Sequence, residues 1–179
     1  MFFKSQSLEK GGGSLKQPEQ PNQTEPPRPT VIKIKKSSTE EHWRGSKDAK
    51  FVLVEYADLE CSFCKSIHPT LVKLLDENKG KVSWVYRHYP LLPYHKKMQK
   101  LTEAVECAEE QGGNDSFWKM ADAIYEKMPD LELSELTDVA AGVGLDGTAL
   151  QTCVDTNKFS NKVKAEQAET EKVGFRMTP

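Results

Sequence analysis

Phe51-Val-Leu-Val-Glu-Tyr-Ala-Asp-Leu-Glu-Cys61-Ser-Phe-Cys64-Lys-Ser-Ile-His-Pro69 is the stretch whose reading decides the fold. Phe51 to Tyr56 is β-branched and aromatic enough for a short strand, an acidic turn follows, and a Cys-x-x-Cys pair stands where a helix begins. A helix start presents unpaired backbone N–H groups and the positive end of the macrodipole, and both favour a thiolate at Cys61. The thiolate is the form that attacks disulfides, so Cys61 is the candidate nucleophile. Cys64 follows one helical turn later on the same face, close enough to close a disulfide, and is the candidate resolving thiol.

Glu55 precedes the pair within the strand. If it points inward, desolvation raises its pKa and equips it to exchange protons with Cys64; if the alternation turns it outward, it is a solvated charge. Asp58 and Glu60 read as solvated charges that oppose thiolate formation beside them.

The chain has 179 residues, 37% hydrophobic and 29% charged, which suits one soluble domain with a sizeable core. A formal net charge of −2 makes no electrostatic case for nucleic acid. No run of apolar residues reaches membrane-spanning length, and Met1-Phe-Phe-Lys-Ser-Gln-Ser lacks the apolar core of a signal peptide. Four cysteines suffice for one catalytic and one structural pair.

Residues 1–30, with Gly11-Gly-Gly-Ser14 and then a series of prolines, read as a disordered linker. Val31-Ile-Lys-Ile-Lys35 alternates like an edge strand, and His42 and Trp43 read as packing residues. A helix is expected from about Ser62 to Glu77, closed by Gly80, and then a strand over Val82–Tyr89, making a right-handed parallel unit. From Lys96 to Gly174 apolar residues recur at helical spacing, Met98, Leu101, Val105 and Ala108 first, then Phe117, Ala121, Ile124, Tyr125 and Met128. Ser134 and Asp146 are candidate caps of the next two helices, and a fifth runs from Phe159 to Val173, ended by Gly174. His88 and His95 have no partner at metal-ligand spacing and read as structural or surface residues.

Cys61-Ser-Phe-Cys64-Lys-Ser-Ile-His-Pro69, preceded by Val54-Glu55-Tyr56-Ala57-Asp58, resembles the active site of the DsbA-like thiol:disulfide oxidoreductases of the thioredoxin superfamily. Tyr86-Arg-His-Tyr-Pro-Leu91, and Cys107-Ala-Glu-Glu-Gln111 with Phe117-Trp118, are similar to further motifs of that family. The resemblance implies an α/β thioredoxin-like fold with an inserted helical domain. It divides the chain into a first half over 31–94, a helical insertion over 95–173, and the start of a cis-proline loop over 174–179. It also gives Glu55 the buried-acid role, Pro69 a helix-kinking one, and Thr178-Pro179 the place beside the cysteines that pairs with substrate backbone. Ser62 stands where many relatives have proline, which leaves the direction of electron flow open. The family's C-terminal strands and last helix are not in this sequence, so an incomplete domain with an exposed sheet edge is expected. Relatives often carry cysteines at the places of Cys107 and Cys153; a bridge between them is expected, two buried thiols being the alternative. A bridge argues for an oxidising compartment.

The expected function is disulfide formation or exchange in exported polypeptides through Cys61 and Cys64, with no cofactor. The resemblance implies cysteine-containing polypeptide substrates, a membrane redox partner that resets the pair, and an extracytoplasmic location. Reduction or isomerisation is the alternative within that class. Outside it stand a zinc module using Cys61, Cys64 and His68, with Cys107 as a possible fourth ligand, and a non-catalytic fragment.

Overall fold

The computed structural model describes residues 33–92 and 94–178. Three strands form one sheet: β1 (His42–Arg44), β2 (Phe51–Ala57) and β3 (Val82–His88), in the order β1-β3-β2. Between β2 and β3 runs α1 (Ser62–Glu77), and β2 pairs parallel to β3, from Phe51 opposite Val82 to Ala57 opposite His88. Parallel neighbours need such a crossover, and here the helix supplies it.

β1 pairs antiparallel with β3 at the other side of the sheet. Three residues make a weak strand, and its outer edge is held by side chains of the helical block: Trp118 Nε1 and Asn114 Nδ2 both donate to the Trp43 carbonyl, at 2.9 and 2.7 Å. Gly45 follows at φ 97°, its Cα so close to Ser83 backbone that a Cβ would sit 3.3 Å from it. Of the edge strand expected at Val31–Lys35, residues 33–35 are irregular, and the rest of that stretch lies outside the described residues, as does the linker at 1–30. The alternation of lysine and isoleucine had no buried surface to face; Ile34 is exposed.

Five further helices follow: α2 (Met98–Gly112), α3 (Asn114–Lys127), α4 (Leu136–Gly142), α5 (Gly147–Asp155) and α6 (Ser160–Val173). Asp146 caps α5 by accepting from Ala149 N at 2.9 Å. Ser134 caps nothing: it lies inside a short 3-10 turn, Leu133–Glu135, where Glu132 and Glu135 form a reciprocal capping box. Gly174, in the left-handed conformation, closes α6.

One face of the sheet, carrying Leu53, Ala57, Trp84 and Tyr86, packs into the core with Leu71 and Leu75 of α1 and Met98, Leu101, Phe117, Met120 and Ile124 of α2 and α3. The methionines and aromatics at helical spacing are core residues, as their periodicity implied. α2 and α5 are joined by a disulfide, Cys107–Cys153, with Cα atoms 6.0 Å apart. On the outer side of β2, Phe51 and Val52 are exposed.

Candidate active site

Cys61 is the N-cap of α1: its backbone is extended (φ −77°, ψ 122°), its carbonyl accepts from Lys65 N at 3.0 Å, and no acid lies in the first turn. The unpaired N–H groups of that turn and the helix dipole are thus directed at Cys61 without a competing carboxylate in the helix. Cys61 is 7% exposed and Cys64 fully buried, so attack from outside reaches Cys61 first. Burial pushes the Cys64 thiol well above its ordinary pKa; the Asp58 backbone opposes that, Cys61 adds to it, and Thr178 opposes it. Thr178 Oγ1 is itself buried, without a hydrogen bond of ordinary geometry.

β2 turns Glu55 inward, where it is 6% exposed, which resolves the choice its alternation left open. The register sets it opposite Tyr86. Burial raises its carboxyl to a pKa of about 7, the Trp84 indole N–H opposing this from outside ordinary hydrogen-bond geometry. Burial, then the charges of Glu55 and Cys64, push the Tyr86 hydroxyl well above its usual range. Tyr125, equally buried, is raised by burial, then by Tyr86, Cys64 and Glu55. Glu55, Cys64 and the two tyrosines are therefore all buried and near enough to act on one another's charge.

The turn into Cys61 differs from its expected solvated state. Asp58 is fully buried: Oδ1 accepts from Glu60 N at 2.7 Å, and Oδ2 from Leu91 N and His95 Nδ1, both at 2.8 Å. Its backbone carbonyl accepts from Cys61 N at 3.1 Å. Glu60 is half-buried and accepts from Lys97 N at 2.9 Å. The two acids serve as acceptors for backbone N–H groups that a tight turn leaves unpaired. The segment after α6 returns here, with Phe175 against Tyr56 at 4.7 Å and its carbonyl accepting from Tyr89 Oη. Pro179 lies outside the described residues.

A family model described as Thioredoxin matches residues 37–179. Over 81% of this chain and 80% of the other, the structure resembles Pseudomonas aeruginosa DsbA2, with 30% identity and a TM-score of 0.66. The chain belongs to the DsbA-like branch of the thioredoxin family. The fold is also shared with oxidised BdbD from Bacillus subtilis, at 23% identity and a TM-score of 0.69 over 78% of this chain and 79% of that one. Among curated proteins, it is 30% identical over 158 residues to Na(+)/H(+) antiporter NhaA 1 of Mycolicibacterium vanbaalenii, covering 86% of this chain and 25% of that protein. It is 37% identical over 106 residues to Na(+)/H(+) antiporter NhaA 3 of Salinispora tropica, 59% of this chain and 16% of that protein. The DsbA-like chain thus spans a quarter or less of the length of these curated relatives. Among the described residues no helix is long and apolar enough to cross a membrane.

Elsewhere in the DsbA-like chain the structure assembles polar groups whose sequence spacing gave no signal. His68, one turn beyond Cys64, bonds through Nε2 to Asp122 Oδ1 at 2.7 Å, and Arg44 grips the same carboxylate with both guanidinium nitrogens. Burial works against the Asp122 charge, but His68 and Arg44 prevail and hold its carboxyl below the usual range. With His68 committed there and Cys107 bridged to Cys153, the four groups of the zinc alternative are not brought together. His42, His88 and Glu106 are: both Nε2 atoms lie on Glu106 Oε1, at 2.8 and 2.9 Å, and all three residues are buried. These residues come from β1, β3 and α2, so only their tertiary meeting reveals them. His88 and His95 therefore both have carboxylate partners that local spacing could not show.

Proposed function

We propose that this DsbA-like chain is a protein thiol:disulfide oxidoreductase working through Cys61 and Cys64, with dithiol oxidation as its direction. The observation that carries the reading is the asymmetry of the pair: Cys61 is reachable at the helix N-terminus, while Cys64 is sealed below it and holds its proton. In the oxidised enzyme a substrate thiolate attacks Cys61 Sγ and breaks the Cys61–Cys64 bond, and Cys64 leaves as a thiolate that takes up a proton. A second substrate thiolate then attacks its own mixed-disulfide sulfur, releasing Cys61 as a thiolate and leaving the substrate with a new disulfide. Both electrons end on the enzyme dithiol.

Glu55 is the proton reservoir for Cys64 in this scheme. A carboxyl with a pKa of about 7 offers or accepts a proton near neutrality, and it shares the buried tyrosine pair with Cys64. Thr178, beside Cys64, and Pro179 would form the substrate-pairing loop. Substrates would be cysteine-containing polypeptides outside the cytoplasm, where the Cys107–Cys153 bridge persists, and a membrane redox partner would reoxidise the pair.

A glutathione redox titration, with alkylation and mass mapping of Cys61 and Cys64, tests the reading. A reversible couple near about −120 mV supports oxidation; one near about −270 mV makes the chain a reductant. No reversible couple removes the proposal.

A further inference from the structure

We propose that His42, His88 and Glu106 form a binding site for a divalent transition-metal ion, zinc being the best match, separate from the cysteine pair. The three ligand atoms lie within 4.8 Å of one another and come from three elements, β1, β3 and α2. Two imidazoles and a carboxylate, with a fourth position for water, make a donor set that suits zinc.

The arrangement around His42, between two carboxylates, calls for a cation on the ring, either a metal ion or a proton. Its Nε2 faces Glu106 Oε1 at 2.8 Å and its Nδ1 faces Glu109 Oε1 at 3.4 Å, so the ring lies between two carboxylates. A neutral imidazole has a single N–H, and either tautomer leaves a lone pair aimed at a carboxylate oxygen; without a metal the ring satisfies both carboxylates only as an imidazolium. With a metal on Nε2 and the proton on Nδ1 toward Glu109, both conflicts vanish, and Glu109 becomes the outer carboxylate that orients a metal-bound histidine. His88 is fully buried and its Nε2 lies 2.9 Å from the same Glu106 oxygen, so it would bind through that nitrogen.

Size and access agree. Zinc bonds of about 2.0–2.1 Å in tetrahedral geometry place ligand atoms roughly 3.3 Å apart, so each nitrogen draws back from Oε1 by about half an ångström while the set, spread within 4.8 Å, closes around the ion. A cavity of about 250 Å³, lined by Lys162, Glu41 and Glu166 among others, reaches His42. Lys162 now holds the second Glu106 oxygen at 2.5 Å and stands 3.4 Å from His42 Nε2, a cation where the metal charge would be. Its side chain is 37% exposed and lines that cavity. Bound metal would tie β1, β3 and α2 together next to Cys107, a structural rather than a redox role.

The test is calorimetric titration with Zn²⁺ of the full chain, purified without a polyhistidine tag and carrying Cys61→Ser and Cys64→Ser so that thiols contribute nothing. One ion per chain is expected, with Co²⁺ giving the visible absorption of a tetrahedral nitrogen/oxygen site. Glu106→Gln should weaken binding at least tenfold, and Glu109→Gln by about tenfold through loss of the outer carboxylate. Lys162→Met, its folding checked by circular dichroism and thermal melting, should tighten binding by removing the competing cation. No zinc binding in the double-serine chain overturns the proposal, as does binding that Lys162→Met and Glu106→Gln leave unchanged. In that case His42 is simply an imidazolium held by two carboxylates. The outcome is independent of the redox titration above.

Discussion

Asp58 Oδ2 accepts from the His95 imidazole at 2.8 Å across the mouth of the active-site turn, joining the residue three before Cys61 to the segment that leads into α2. The same carboxylate carries Leu91 N and Glu60 N, so it organises the turn before Cys61 from both sides.

Asp58→Ala should therefore strand two backbone donors and the histidine. A loss of about 2–4 kcal/mol in unfolding free energy is expected from denaturant titration, with faster alkylation of Cys61 as its turn loosens and a nearby negative charge is removed. His95→Ala should cost less, about 1 kcal/mol, because the two backbone bonds survive. Equal effects from both variants would show that the carboxylate acts through His95 alone.

Glu55 makes stability depend on pH in a defined direction. Its carboxyl is raised from 4.5 to about 7 in the folded chain, so the folded state holds a proton that the unfolded state gives up. Its contribution is therefore fully present below pH 4.5 and is lost as pH rises through about 7. The interval corresponds to about 3 kcal/mol. Glu55→Gln should flatten the stability profile between those limits and leave the variant more stable than the parent at pH 8. Denaturant unfolding at pH 5 and pH 8 measures it; a parallel profile for the two chains would contradict the assignment.

The Cys107–Cys153 bridge closes a loop with a sequence separation of 46. Replacing both cysteines by alanine should cost about 4 kcal/mol in the chain-entropy picture. The Cys61–Cys64 potential should stay where it was, since the bridge joins α2 and α5 away from the pair. A shifted potential would mean that the helical block sets the redox chemistry as well as the stability.

Two glycines of the helical block should respond in opposite senses. A Cβ on Gly147 would meet the Thr137 carbonyl at 2.4 Å, so Gly147→Ala should force α4 and α5 apart and cost about 1–3 kcal/mol. Gly142, the last residue of α4, has nothing within 4 Å of the same position, and Gly142→Ala should gain about 0.5 kcal/mol from propensity. Thermal melts of the two variants give the signs directly.

Local order was legible wherever one segment carries its own signal. The β2–α1–β3 unit, the helix from Ser62 to Glu77, the Asp146 cap and the Gly174 stop follow from propensity, periodicity and capping, which act over a few residues. The Cys61–Cys64 spacing and its helix start are local in the same sense.

What the sequence could not show are relationships in which a residue's environment comes from far along the chain. β1 was missed because His42–Arg44 is a strand only by virtue of β3 and the α3 side chains that hold its edge. The inward turn of Glu55 depends on which sheet face the helices cover, and the burial of Asp58 depends on Leu91 and His95 arriving over it. His42, His88 and Glu106 are separated by up to 64 residues and meet only when β1, β3 and α2 pack. Sequence alone determined the β2–α1–β3 unit, most of the helices and the Cys61–Cys64 spacing at a helix start, because backbone preferences are short-ranged; tertiary structure decided burial, partners and protonation, because desolvation and electrostatics depend on what surrounds a group in space.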